Sequence, residues 1–223
     1  GRSLGAALAI ILADEGAKVI LLGRTPKNLS STADIIYSRT GQKPLTFHTD
    51  MADIASVEKA AQEILEQTEV DILINNAAFW LAGKIEEVSG SDIFQTVNSM
   101  LTGTILLTKR FLPSLLKSDS DIVNVVSMSG LPNIPLYGAS STFLAAKHGQ
   151  TGFTDGLRQE LKGTSVRVIG IYPPLIDDIS PLDEAWHEAR TKEKSIINRD
   201  VVESILFALT RPRNCTLASI VLD

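Results

Sequence analysis

A chain of 223 residues that is 44% hydrophobic and 21% charged carries enough apolar side chains for a full core, and its composition is neither disordered nor collagen-like. With 21 Lys and Arg against 26 Asp and Glu, its net charge of -5 argues against a protein that grips nucleic acid by general positive charge. Cys215, the single Cys, closes no internal disulfide, and no run of about 18 apolar residues offers a membrane span.

A reducing, cytoplasmic setting is therefore expected, with no nucleic acid and no membrane as partner. The N-terminus shows neither a secretory signal pattern nor an initiating Met. Residues 1–5 read as a loop feeding a helix over 6–15, with no strand before it. Because a doubly wound sheet places its first strand centrally, the sequence reads as a slightly trimmed form of a longer protein. The lost strand would bury about five apolar side chains at roughly 1.5–3 kcal/mol each. The other reading is a complete but unusual fold.

Strands are expected at 18–22, 45–48, 70–74, 122–127, 166–172 and 217–222, each short and rich in Val, Ile or Leu. Between them, residues 53–67 place Ile54, Val57, Ala61, Ile64 and Leu65 on one helical stripe, with Glu58, Lys59, Glu63 and Glu66 facing solvent. Similar stripes run through 93–116, 142–161 and 199–210. β-branched strands alternating with helices signal βαβ units. The prediction is a single α/β domain over 1–223, a Rossmann-type doubly wound parallel sheet.

The opening Gly1-Arg2-Ser3-Leu4-Gly5 can set backbone N–H groups and a helix N-terminus against a pyrophosphate; a simple tight turn is the equal alternative. The next strand ends Leu21-Leu22-Gly23-Arg24, without the acidic residue that bonds a ribose 2′-OH in NAD-preferring folds. Arg24 and Arg2 together suit a 2′-phosphate, which favours NADP. Taken singly, each reads as a solvated surface arginine.

At this point the chain resembles the short-chain dehydrogenase/reductase family over nearly its whole length. Asp50-Met51 resembles the family's adenine-contacting Asp and its neighbour. Asn75-Asn76-Ala77-Ala78 resembles its Asn-Asn-Ala-Gly turn beside the cofactor, with Ala78 departing from the pattern; Asn side chains also hold turns for purely local reasons. The run Ile122 to Ser127 is similar to the strand that ends in the catalytic Ser, and Gly130 follows. Ser129 is a lesser candidate.

Phe143-Leu144-Ala145-Ala146-Lys147 stands where the family has Tyr-x-x-x-Lys. Spacing of four puts both side chains on one helical face, where the resemblance implies that Lys147 bonds the cofactor ribose and lowers the pKa of a neighbouring phenol. Phe143 has no proton to give. Tyr137 imitates the start of the motif, but Ser141 lies four residues later, and ten residues rather than sixteen separate it from Ser127. Tyr172, at a strand end, has no family counterpart as an acid.

The family also uses an Asn three residues before a Gly to organise a proton-relay water. Asn98 precedes Gly103 by five and Met100 falls at the aligned position, so Asn98 needs a register shift or a helix bulge to serve. Tyr172-Pro173-Pro174-Leu175-Ile176 resembles the Pro-Gly segment beside the nicotinamide, with Pro173 and Ile176 as its contacts, and 177–198 corresponds to the substrate cover. Asp177, Asp178, Asp183 and Glu184 there favour a neutral substrate. Trp80, Leu136 and Trp186 are candidate pocket walls or packing residues.

The resemblance thus implies an NADP-dependent oxidoreductase passing hydride between the nicotinamide and a neutral carbonyl or alcohol, with Ser127 on the carbonyl oxygen, Lys147 on the ribose and no proton donor at position 143. The alternative is a non-catalytic NADPH-binding sensor or scaffold, which Phe143, Met100 and Ala78 favour. Self-association as a homodimer or homotetramer through the helices at 93–116 and 142–161 is expected. His48, His148 and His187 have no ligand partners at metal spacing, so no metal is expected.

Overall fold

The computed structural model describes residues 3–189, 191 and 193–223; Gly1 and Arg2 of the expected phosphate loop lie outside them. In chain order the elements are α1 (Ser3–Asp14), β1 (Ile20–Gly23), α2 (Pro26–Thr40), β2 (Leu45–His48), α3 (Ile54–Leu65), β3 (Ile72–Asn75) and α4 (Gly90–Val97). A π-turn (Asn98–Thr102) leads into α5 (Gly103–Leu115), β4 (Asp121–Val125), a 3₁₀ turn (Met128–Gly130) and α6 (Ser141–Glu160). Then follow β5 (Arg167–Tyr172), a second 3₁₀ turn (Glu184–His187), α7 (Asn198–Leu209) and β6 (Ser219–Val221). All six expected strands are present, and every pairing is parallel. This is the Rossmann-type α/β fold.

Two expectations are corrected, and one helix is added. Helix α1 begins at Ser3 rather than Ala6, so Ser3, Leu4 and Gly5 belong to its first turn and not to a loop. The expected helix over 93–116 is two helices joined by the π-turn. Helix α2 had no counterpart in the sequence reading.

The chain divides into two compact units, one comprising 1–49, 175–210 and 223, the other 50–174 and 211–222. In the first, β1 pairs with β2 from Ile20 opposite Leu45 to Gly23 opposite His48. Ala9, Ile10 and Ala13 of α1, Leu21 of β1, and Leu29, Ala33 and Ile36 of α2 form its buried cluster. Pro26 stands in the first turn of α2, where its missing N–H is not needed. Gly41 closes that helix at φ 73°, with its N–H donating to the Tyr37 carbonyl. The segment before α7 is tied back on itself: Asp177 donates its N–H to Ile196, and the Asn198 amide donates to the Asp178 carboxylate at 2.6 Å. Trp186 is buried and its carbonyl accepts from Arg199, which makes it a packing residue.

The second unit is the sheet β3–β4–β5–β6 with α3, α4, α5 and α6. Every residue of β4 and β5 is buried, which is why these strands read as continuous Val and Ile runs instead of alternating ones. Two Asn residues interrupt that pattern. Asn75 and Asn124 are register partners, and Asn75 Nδ2 donates to Asn124 Oδ1 at 2.8 Å and to Thr108 Oγ1 at 3.1 Å. Asn124 Nδ2 in turn donates to Thr154 Oγ1 at 2.9 Å. This buried chain of hydrogen bonds joins α5, two strands and α6 at one level. The C-terminal ends of β3, β4 and β5 then release Asn76–Ala78, Ser127 and Pro173 from one edge of the sheet, the edge where parallel α/β sheets bind ligands.

Candidate active site

Past the end of β4, Val126 still donates to Ile171 at 2.8 Å, and Met128 donates to the Pro173 carbonyl at 2.9 Å. Between them Ser127 is half-buried. Its Oγ accepts from the Ser129 N–H at 3.1 Å and donates weakly to Pro173 O at 3.4 Å. The long second bond leaves the hydroxyl proton available to a better acceptor. The turn after Ser127 is pressed onto α6: a Cβ on Gly130 would stand 2.6 Å from Thr151 Oγ1 and 2.8 Å from the Lys147 carbonyl. Only glycine fits there, and Thr151 Oγ1 fastens the contact by donating to Gly130 O at 2.9 Å.

Helix α6 starts where Ser140 accepts the Phe143 N–H at 3.1 Å, an N-cap of the usual kind. Ser140 itself donates to the Leu81 carbonyl at 2.8 Å, and Ala82 forms an antiparallel bridge with Ala139. The loop after β3 thereby lies against the first turn of α6. Phe143 is buried in a cluster with Leu81, Met100, Ala139 and Ala146, and its ring meets Trp80 edgewise at 4.9 Å between centroids.

One turn on, Lys147 is 3% exposed. Its ammonium stands 5.8 Å from the Phe143 ring centroid, within range of a cation–π attraction. Among the described residues it has no hydrogen-bond acceptor and no carboxylate partner. Burial accordingly lowers its pKa from 10.5 to about 7, because desolvation disfavours the charged form.

A π-turn begins at Asn98. In the π-turn, the Gly103 N–H bonds the Asn98 carbonyl five residues back. Met100 is fully buried, and its carbonyl accepts from both Thr104 Oγ1 and Gln150 Nε2 at 2.7 Å. Asn98 is half-buried. A Cβ on Gly103 would lie 2.1 Å from the Met51 carbonyl, so this glycine lets α5 lie directly on the backbone of Asp50-Met51. There the Asp50 N–H donates to Ser56 Oγ while Asp50 Oδ1 accepts from Ala52.

The second unit thus gathers Ser127, Phe143 and Lys147 through α6, and connects Met51 to the π-turn of Asn98. Asn76 and Ala77 are half-buried, Ala78 is exposed and Pro173 is buried. In the first unit, Ser3, Leu4 and Gly5 supply the free N–H groups of a helix start, Arg24 is exposed just after β1 and Ile176 is half-buried. Neither of the other tyrosines considered replaces the missing phenol. Tyr172 packs on the sheet, its ring 2.9 Å from where a Gly170 Cβ would be, and burial pushes its phenol up. Tyr137 is 80% exposed, on a residue with φ 48°. Gln150 and Thr151 were not singled out from sequence; a polar residue seven after Phe143 on a buried helical face was the available signal for Gln150.

Comparison with known proteins fits this geometry. A family model described as short chain dehydrogenase matches residues 1–191. An uncharacterized oxidoreductase of Staphylococcus aureus (strain USA300) is 28% identical over 221 residues, covering 99% of this chain and 92% of the relative. One of Staphylococcus saprophyticus is 30% identical over 215 residues, 94% and 87% of the two chains. Among solved structures, an alcohol dehydrogenase of the archaeon Thermococcus sibiricus complexed with 5-hydroxy-NADP superposes with a TM-score of 0.85 at 23% identity, over 99% of this chain and 92% of the other. L-sorbose reductase of Gluconobacter frateurii, complexed with NADPH and L-sorbose, gives 0.86 at 19% identity, over 100% and 91%.

Proposed function

The chain belongs to the short chain dehydrogenase family, and from that premise we propose that it is an NADP-dependent oxidoreductase acting on a neutral carbonyl/alcohol pair, with proton transfer limited by Phe143. The observation that carries this reading is Lys147. A buried ammonium with no acceptor among the described residues, one turn from Phe143 and behind the Ser127 turn, is costly in a purely structural role and suits a site that takes polar hydroxyls from a cofactor.

A bound nicotinamide supplies the hydride. The chain's own groups do the rest. Lys147 donates to the ribose hydroxyls. Ser127 Oγ, whose bond to Pro173 is long, turns its proton to the substrate carbonyl oxygen. Pro173 and Ile176 border the nicotinamide, with Asn76, Ala77 and Ala78 along the cofactor, Asp50 and Met51 at the adenine, and the first turn of α1 with Gly1 at the pyrophosphate. Arg24 and Arg2 meet the 2′-phosphate, and the NADP and NADPH complexes of the fold neighbours support that choice. At position 143 a phenyl ring packs where a proton would have to pass.

A second reading has its own observation. Phe143 and Met100 occupy one buried apolar cluster, so both positions that the family resemblance assigns to the proton path carry side chains with no exchangeable proton, as suits an NADPH-binding protein that does not turn over. Titration decides the cofactor: NADPH is expected to bind more tightly than NADH, and Arg24→Ala to weaken NADPH selectively by about 1.5–3 kcal/mol. Equal affinities reject the assignment. Tight NADPH binding with no reduction of any neutral aldehyde or ketone selects the second reading.

A further inference from the structure

Trp80 is the part of this site that the reactions above leave unused. Tryptophan is on average well covered in folded proteins, yet Trp80 is 56% exposed while touching Phe143. Phe79 and Leu81 on either side pack into the cluster around Phe143. Its indole and the Lys147 ammonium meet the same ring: the indole is 4.9 Å from the Phe143 centroid and the ammonium 5.8 Å from it.

The chemistry around it is uniform. Residues 77–83 read Ala-Ala-Phe-Trp-Leu-Ala-Gly and residues 131–140 read Leu-Pro-Asn-Ile-Pro-Leu-Tyr-Gly-Ala-Ser, so the two stretches nearest Trp80 carry no charged side chain; the charges of the first loop, Lys84, Glu86 and Glu87, begin past Gly83. The two stretches are joined by the Ser140 to Leu81 hydrogen bond and the bridge between Ala82 and Ala139. A carboxylate or phosphate on a substrate would lose hydration here without a counter-charge from either of these two stretches. An apolar ring would exchange water for contact with indole.

The geometry points to a substrate class and to the residue that selects it: the site takes an uncharged carbonyl compound bearing an aryl group beside the carbonyl, and Trp80 is the wall against which that group packs. This rests on the reading of Ser127 and Lys147 as the carbonyl end of an NADP-dependent oxidoreductase. The carbonyl sits at Ser127 and the aryl group extends past Phe143 to the indole.

Binding without turnover tests it. The full chain saturated with NADP⁺ is titrated with acetophenone, acetone and benzoylformate by saturation-transfer NMR. Acetophenone is expected to bind at least about tenfold tighter than either of the others. Trp80→Ala is expected to bring acetophenone down by about tenfold with NADP⁺ affinity and melting temperature unchanged. Should that variant fail to fold, Trp80→Leu serves, with acetophenone weakened at least about threefold and acetone unaffected. Acetone or benzoylformate binding as tightly as acetophenone, or a Trp80 variant that keeps wild-type acetophenone affinity, overturns the inference. Failure of the unmodified chain to bind NADP⁺ at all overturns instead the cofactor reading beneath it.

Discussion

Lys147 is the residue whose environment has the most measurable consequence. With its pKa lowered to about 7 in the folded chain against 10.5 in solution, the folded state holds fewer protons than the unfolded one between those values. Stability without cofactor therefore rises as pH increases from about 7 to 10.5, by up to about 5 kcal/mol from this group; below pH 7 both states are protonated and the burial cost is felt in full. Denaturant unfolding of the cofactor-free chain and of Lys147→Met should show this rise only in the former. Parallel pH profiles for the two would refute the buried, unpaired ammonium. The pairing of Phe143 with Lys147 was legible in the sequence because helical spacing of four fixes a shared face. That the amine has no acceptor among the described residues was not, since it depends on which elements distant in sequence fold around α6.

Among the elements, the π-turn shows what local sequence can and cannot give. The spacing of five between Asn98 and Gly103 pointed to a register shift or a bulge, and an i to i+5 turn begins at Asn98. Its anchoring by Gln150, fifty residues on, had no local signal. Gly103 is the critical contact: Gly103→Ala would drive a methyl into the Met51 carbonyl at 2.1 Å and is expected to cost about 1–3 kcal/mol or more, read as a lowered urea midpoint with unchanged slope. A melting curve matching the unmodified chain would show that α5 does not lie on Met51 in solution. Asn124→Ala, which removes the acceptor for Asn75 and the donor to Thr154, is expected to destabilise by about 1–3 kcal/mol. Strands β4 and β5 were plain from their Val and Ile runs. Helix α2 was missed because Asn28, Ser30, Ser31 and Thr32 dilute the stripe of Leu29, Ala33 and Ile36, and Ser and Asn favour turns as readily as helices.

For the whole molecule, composition and alternation were enough to give the α/β class, since burying a parallel sheet on both faces demands that pattern. They could not show the buried ionic cluster at the other edge of the sheet, where Asp121 is held by Arg167 at 2.6 Å and Arg213 at 3.0 Å; those residues meet only after folding. Self-association is proposed through α4, α5 and α6, with Phe94 at 67% and Ile105 at 37% exposure as apolar surface that an isologous contact would cover. Light scattering at micromolar concentration should then give a dimer or tetramer, and a monomer alone would contradict it. The central claim, that a cofactor site is intact while the proton path is interrupted at one ring, is tested most directly by Phe143→Tyr. Rapid mixing of NADPH-bound protein with a panel of neutral aryl ketones and aldehydes should show reduction about 10²–10⁴-fold faster in the variant, with NADPH affinity unchanged. A variant that gains nothing on any substrate the unmodified chain already reduces would mean that another group supplies the proton and that Phe143 does not occupy the reacting position.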